Sequence, residues 1–112
     1  MSQTYERLNS IQDLDAVLAS GRRVVLFKHS LTCPVSTAAF REYEKYLEET
    51  DGATVAHTLI EVQNARDVSN EIAARLGVKH ESPQALVVEG GGVLWHASHW
   101  SITKDSLTQA VQ

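Results

Sequence analysis

The sequence predicts an α/β fold, a mixed sheet with helices on both faces that closes with a C-terminal β-hairpin and a helix. Three observations predict it. Apolar, β-branched runs of strand length stand at residues 24–27, 54–62 and 85–88; segments with apolar residues at steps of three and four separate them; and Gly90-Gly91-Gly92 precedes one more short apolar run, Val93-Leu94-Trp95. Helices between the first strands imply parallel pairing, whereas glycines that permit positive φ imply an antiparallel hairpin.

The elements follow in order. Ser10 ahead of Ile11, Leu14, Val17 and Leu18 is a capped amphipathic helix, and Gly21 after Ser20 stops it. Arg22 and Arg23 form a solvated entry to the strand Val24-Val25-Leu26-Phe27, whose four successive apolar residues suit burial on both faces and which ends near His29. A helix then carries Cys33, Ser36, Phe40, Tyr43 and Leu47 on one stripe and Arg41, Glu42, Glu44, Lys45, Glu48 and Glu49 on its solvent side, until Thr50-Asp51-Gly52 breaks it. Residues 54–62 form the second strand, and Gln63 to Leu76 a second crossover helix with Val68, Ile72 and Leu76 aligned and Gly77 closing it. Residues 78–82 are a loop, and Pro83 stands directly before Ala85-Leu86-Val87-Val88. Periodicity alone favours a trans bond at Pro83. Thr103, Leu107, Ala110 and Val111 give the last helix, and Trp95 and Trp100 are expected to pack.

Composition narrows the function. A chain of 112 residues, 43% hydrophobic and 21% charged, is long enough for one core but not two, so residues 1–112 are read as a single domain. Ten basic against fourteen acidic residues leave a net charge of −4, which argues against non-specific nucleic-acid binding and against a basic membrane patch. Residues 1–7 lack a signal-peptide core and no apolar run approaches membrane-spanning length, so the expected location is the cytoplasm. The histidines suggest no metal site: His96 and His99, read as strand residues three apart, would face opposite ways, and His57 and His80 lack carboxylate or thiolate partners at ligand spacing.

The chemistry concentrates at the one cysteine. Ser30 and Thr32 are small and polar, and Pro34 suits the first position of a helix, so Cys33 opens that helix. Free N–H groups and the positive end of the helix dipole favour an anion there, which stabilises a thiolate relative to a thiol. Ser36, one turn on, is placed where its hydroxyl or N–H can reach the sulfur, but it cannot resolve a disulfide. His29, four residues before Cys33, either lies near the thiol and promotes ionisation or is a sheet residue with a local hydrogen bond. With one cysteine, any disulfide must join this chain to another molecule.

The element order, a thiol at the first long strand-to-helix junction and a proline just before the third strand together resemble the thioredoxin superfamily. The resemblance implies a cis bond at Pro83 facing Cys33, with Ser82 offering backbone groups to an extended substrate. More closely, Lys28-His29-Ser30 with Thr32-Cys33-Pro34-Val35-Ser36, and His80-Glu81-Ser82-Pro83-Gln84, resemble the monothiol bacilliredoxins of the YtxJ type. That implies a thiol–disulfide oxidoreductase that removes bacillithiol from client proteins. Cys33 would be catalytic; Thr32, Pro34, Ser36, Ser82 and Pro83 would bind substrate; bacillithiol would be the co-substrate, with no tightly bound cofactor or metal. An NADPH-dependent flavoprotein disulfide reductase would regenerate the thiol pool. Two other readings stay open: a glutaredoxin-like carrier holding an iron–sulfur cluster between chains, which needs two external thiols besides two Cys33, and an adaptor that kept the fold without the chemistry. A peroxidase fits less well, because its usual threonine three residues before the cysteine is Ser30 here.

Overall fold

A computed structural model describes residues 5–50 and 54–112. Residues 1–4 of the 1–7 stretch read as lacking a signal-peptide core, and Asp51-Gly52 of the Thr50-Asp51-Gly52 break, lie outside them. The elements are β1 (Glu6–Arg7), α1 (Ile11–Leu18), β2 (Arg23–His29), α2 (Pro34–Glu49), β3 (Val55–Glu61), α3 (Arg66–Leu76), β4 (Gln84–Glu89), β5 (Gly92–Ser98), a 3-10 turn (His99–Ser101) and α4 (Lys104–Ala110). One sheet holds the strands in the order β1-β3-β2-β4-β5, with β1 and β2 parallel to β3 and with β4 antiparallel to both β2 and β5. The expected mixed sheet with a terminal hairpin and helix is therefore present.

Local chemistry explains the element ends. Ser10 Oγ accepts the Asp13 N–H at the start of α1, Gly77 adopts a left-handed φ of 71° to end α3, and Thr103 and Ser106 form a reciprocal capping box at α4. Thr50 turns extended after Glu49. Gly90 and Gly91 both take positive φ at the β4–β5 turn.

Four details differ from the sequence reading. The edge strand β1 is an addition; its two exposed residues carry no alternation. Helix α3 starts at Arg66 rather than Gln63, because the chain first makes a turn in which Asn64 and Ala65 donate to the Glu61 carbonyl. His99 leaves the strand and enters the 3-10 turn with a φ of 54°, so the strand spacing that set His96 and His99 on opposite faces does not apply. Trp95 packs against the core as expected, but Trp100 is 72% exposed. A register shift between Val87 and Val88 separates Val93, which packs with Leu14 and Val68, from Trp95 and Ala97, which pack with Tyr43 and Leu107.

Alternation along β2 divides the core. Val24 and Leu26 point to the side covered by α1 and α3, with Leu14, Val68 and Ile72. Val25 and Phe27 point to the side of α2 and α4, with Tyr43, Leu47 and Leu107. Phe27 and Tyr43 stack with ring centroids 4.7 Å apart. Buried polar groups on this side are paired: Tyr43 donates to the Thr58 carbonyl at 2.9 Å, and the Tyr46 hydroxyl lies 2.8 Å from His57 Nε2.

Burial, aided by the charge of Arg22, pushes the His57 pKa down to about 4. The unfolded chain takes up this proton near 6.5 and the native protein only near 4, so stability falls on acidification across that window, by at most about 1.4 kcal/mol per pH unit. Urea unfolding of wild type and His57→Gln from pH 7 to 4 should show this slope in the difference between the two proteins; parallel profiles would refute the assignment.

Candidate functional site

The site is built where β2 leaves the sheet. Lys28 pairs with Gln84 across the β2–β4 ladder, so the chain departs toward Cys33 at the same end of the sheet where Pro83 enters β4. The Ser82–Pro83 peptide is cis, as the resemblance implied and against the trans bond favoured by periodicity. The Pro83 carbonyl accepts the His99 N–H at 3.1 Å, which ties the 3-10 turn to this segment.

Cys33 is the N-cap of α2, partly exposed, with extended backbone and Pro34 directly after it. Its side chain makes no capping hydrogen bond, while its carbonyl accepts the Thr37 N–H at 3.1 Å. Thr32 and Pro34 are exposed on either side. The sulfur thus stands at the open end of a 16-residue helix.

Ser36 is fully buried and points inward. Its hydroxyl oxygen accepts the Ser30 N–H at 2.8 Å and lies 2.8 Å from His29 Nδ1. This corrects the expected reach of its hydroxyl to the Cys33 sulfur: the oxygen closes the Ser30 turn and satisfies a buried imidazole. His29 is accordingly a sheet residue with a local hydrogen bond, stacked on Phe40 at 4.9 Å. Burial lowers its pKa against the opposing pull of Glu61, which favours the neutral ring.

Two contributors were not legible in the sequence. Gln63 clasps the cysteine loop: its Oε1 accepts the Leu31 N–H at 3.0 Å, and its Nε2 donates to Ser30 Oγ at 3.0 Å and to Thr32 Oγ1 at 3.3 Å. Nothing local to Gln63 signals this, because its partners lie more than thirty residues earlier in the chain. Lys28 is the second. It is 0% exposed, with Nζ 3.2 Å from His80 Nδ1, and that imidazole nitrogen of His80 also lies 3.1 Å from Ser69 Oγ. A lysine at a strictly alternating core position was the available signal, since β2 places Lys28 on the face of Val24 and Leu26. In the loop before Pro83, Ser82 Oγ is buried with no hydrogen-bond partner among the described residues.

Among the described residues no cluster of three or more His, Cys, Asp or Glu is gathered to hold a metal, and no helix is long and apolar enough to cross a membrane.

Comparison with known proteins places this geometry. Thioredoxins from Malassezia sympodialis (16% identity, TM-score 0.76, covering 98% of this chain and 90% of that one) and Trypanosoma brucei brucei (17%, 0.76, 99% and 90%) share the fold. A solved structure described as a candidate oxidoreductase with a thioredoxin fold is 36% identical, with a TM-score of 0.86 over 96% of this chain and 94% of that one. The class is therefore that of the thioredoxin-fold oxidoreductases. Within it, the chain belongs to the monothiol bacilliredoxin BrxC family, which it matches over residues 6–107. Its single cysteine accords with the monothiol description.

The buried Lys28 lends itself to a direct test. Burial lowers its pKa from 10.5 to about 8, so below pH 8 the fold carries an ammonium with no carboxylate partner among the described residues. The unfolded chain holds this proton up to about 10.5 and the native protein only to about 8; native stability relative to Lys28→Met should therefore rise between those values. Lys28→Met should be the more stable protein at pH 7, by thermal unfolding. A less stable variant with a flat difference profile would show that the ammonium is satisfied in the native state.

Proposed function

We propose that this protein is a monothiol disulfide-exchange catalyst that removes bacillithiol from client proteins through a mixed disulfide at Cys33. The observation that carries the reading is the lone sulfur at the helix opening, with the Ser36 hydroxyl turned away where a second sulfur would have to stand to resolve a disulfide internally. Membership of the monothiol bacilliredoxin family supports the same reading.

The exchange runs in two balanced steps. The Cys33 thiolate attacks the bacillithiol-side sulfur of the client's mixed disulfide; the client leaves as a thiolate, and Cys33 keeps the bacillithiol. A second bacillithiol thiolate then attacks the bacillithiol-side sulfur of that adduct, which releases Cys33 as thiolate and yields bacillithiol disulfide. Reduction of that disulfide falls to an NADPH-dependent flavoprotein reductase, outside this chain. The setting suits cytoplasmic chemistry, where thiols are kept reduced.

Each expected site residue has a place in this scheme. Cys33 is the nucleophile. Thr32 and Pro34 flank it on the exposed rim, and Pro34 suits the first helical position because its missing N–H would have had no intrahelical partner. Ser82, next to the cis Pro83, offers backbone groups that an extended client segment can pair with. Ser36 serves indirectly, by holding the Ser30 turn that presents the cysteine.

A bacillithiolated client incubated with wild-type protein and bacillithiol should return to its free-thiol mass. With Cys33→Ser the rate should drop to that of bacillithiol alone, read by intact mass spectrometry. Full turnover by Cys33→Ser would rule the mechanism out.

A further inference from the structure

Three protonatable side chains from three elements meet beside the cysteine loop, and the one carboxylate among the described residues that acts on His80, Glu81, does so more weakly than the two cations. Lys28 comes from β2, Arg66 is the first residue of α3, and His80 belongs to the loop that leads to Ser82–Pro83. Ser69 lies one turn on from Arg66 along the same helix face, and its hydroxyl is 3.1 Å from His80 Nδ1, so Arg66 borders His80. Arg66 is exposed and makes no hydrogen bond or ion pair among the described residues. Of the acids nearby, Asp67 Oδ1 accepts the Val68 N–H, and Glu81 Oε1 lies 3.8 Å from His99 Nδ1, so its pull on His80 is weaker than the push of Lys28 and Arg66.

The buried lysine also sets the tautomer of His80. An ammonium can only donate, so Nδ1, 3.2 Å from Lys28 Nζ, must be the acceptor, and the ring proton sits on Nε2. That N–H is on the far side of a half-buried ring and has no partner among the described residues. A guanidinium, a ring N–H and an uncompensated charge behind them amount to an anion receptor with its donors unspent.

We propose that Arg66 and His80, backed by Lys28, form a carboxylate-binding subsite that holds the acidic end of the small thiol exchanged at Cys33. The assignment of that thiol as bacillithiol, whose malate group carries two carboxylates, rests on the function proposed above. The position is suitable: Gln63, three residues before Arg66, is the side chain that clasps Leu31 and Thr32 beside Cys33. The anion meets Arg66 and His80 directly, while Lys28, fully buried, acts through the tautomer and field it imposes on His80.

The test compares rates at Cys33 with dithiobis-nitrobenzoate, which carries a carboxylate on each half, and with uncharged dithiodipyridine, in wild type, Arg66→Gln and Arg66→Glu. The anionic-to-neutral rate ratio should fall by about fivefold in Arg66→Gln and further in Arg66→Glu, and added salt should shrink the wild-type ratio toward that of the variants. An unchanged ratio in both variants overturns the subsite. A second arm uses bacillithiol disulfide and its malate dimethyl ester. A preference for the free acid that is lost in Arg66→Gln supports the malate assignment; equal rates for acid and ester overturn it. If Cys33 ignores bacillithiol disulfide while the Arg66-dependent ratio persists, the proposed function falls and the anion subsite stands.

Discussion

The structure depends on one strand being buried on both faces and between two neighbours. β2 lies between β3 and β4, and six of its seven residues are buried. Each fully buried aliphatic or aromatic side chain of this kind contributes on the order of 1.5–3 kcal/mol, so Val24 to Phe27 anchor both halves of the core at once. Because the strand cannot slip without turning every side chain to the wrong face, its exit point is fixed. The cysteine loop inherits that precision, and Gln63 and Ser36 lock it from two sides. The thiol at the loop thereby takes its position from the register of the sheet.

The same strand shows how the ladder of alternation meets function. Lys28 and His29, the last two residues of β2, occupy opposite core faces, yet both are polar and buried. His29 is absorbed by Ser36 and Phe40 on the α2 side. Among the described residues, Lys28 meets only the His80 ring. A fold that tolerates an uncompensated ammonium at the edge of its site carries a local cost in stability, and such costs concentrate where a ligand supplies the missing charge.

The fold was largely legible because its signals are local. Capping serines and threonines, Gly77, the triple glycine and the apolar runs each mark an element end or a buried face within a few residues. Cys33 and Pro34 announced the helix opening for the same reason. What escaped depends on contacts far apart in sequence: the clasp of Gln63 on residues 30–32, the inward turn of Ser36 toward His29, and the Lys28–His80–Ser69 cluster. The short strand β1 and the left-handed His99 are set by pairing with Thr58 and by the Pro83 carbonyl, neither of which a local pattern encodes. The cis peptide at Pro83 was reached through family resemblance, since strand periodicity pointed to trans.

If Cys33 exchanges with bacillithiol as proposed, it needs an external thiol to be released. Intact mass measurement of the protein after brief exposure to equal amounts of oxidised bacillithiol, glutathione and coenzyme A tests it most directly. The expected result is one adduct, of bacillithiol at Cys33, that free bacillithiol removes. A folded protein that gains no adduct, or takes up glutathione or coenzyme A in preference, would contradict it.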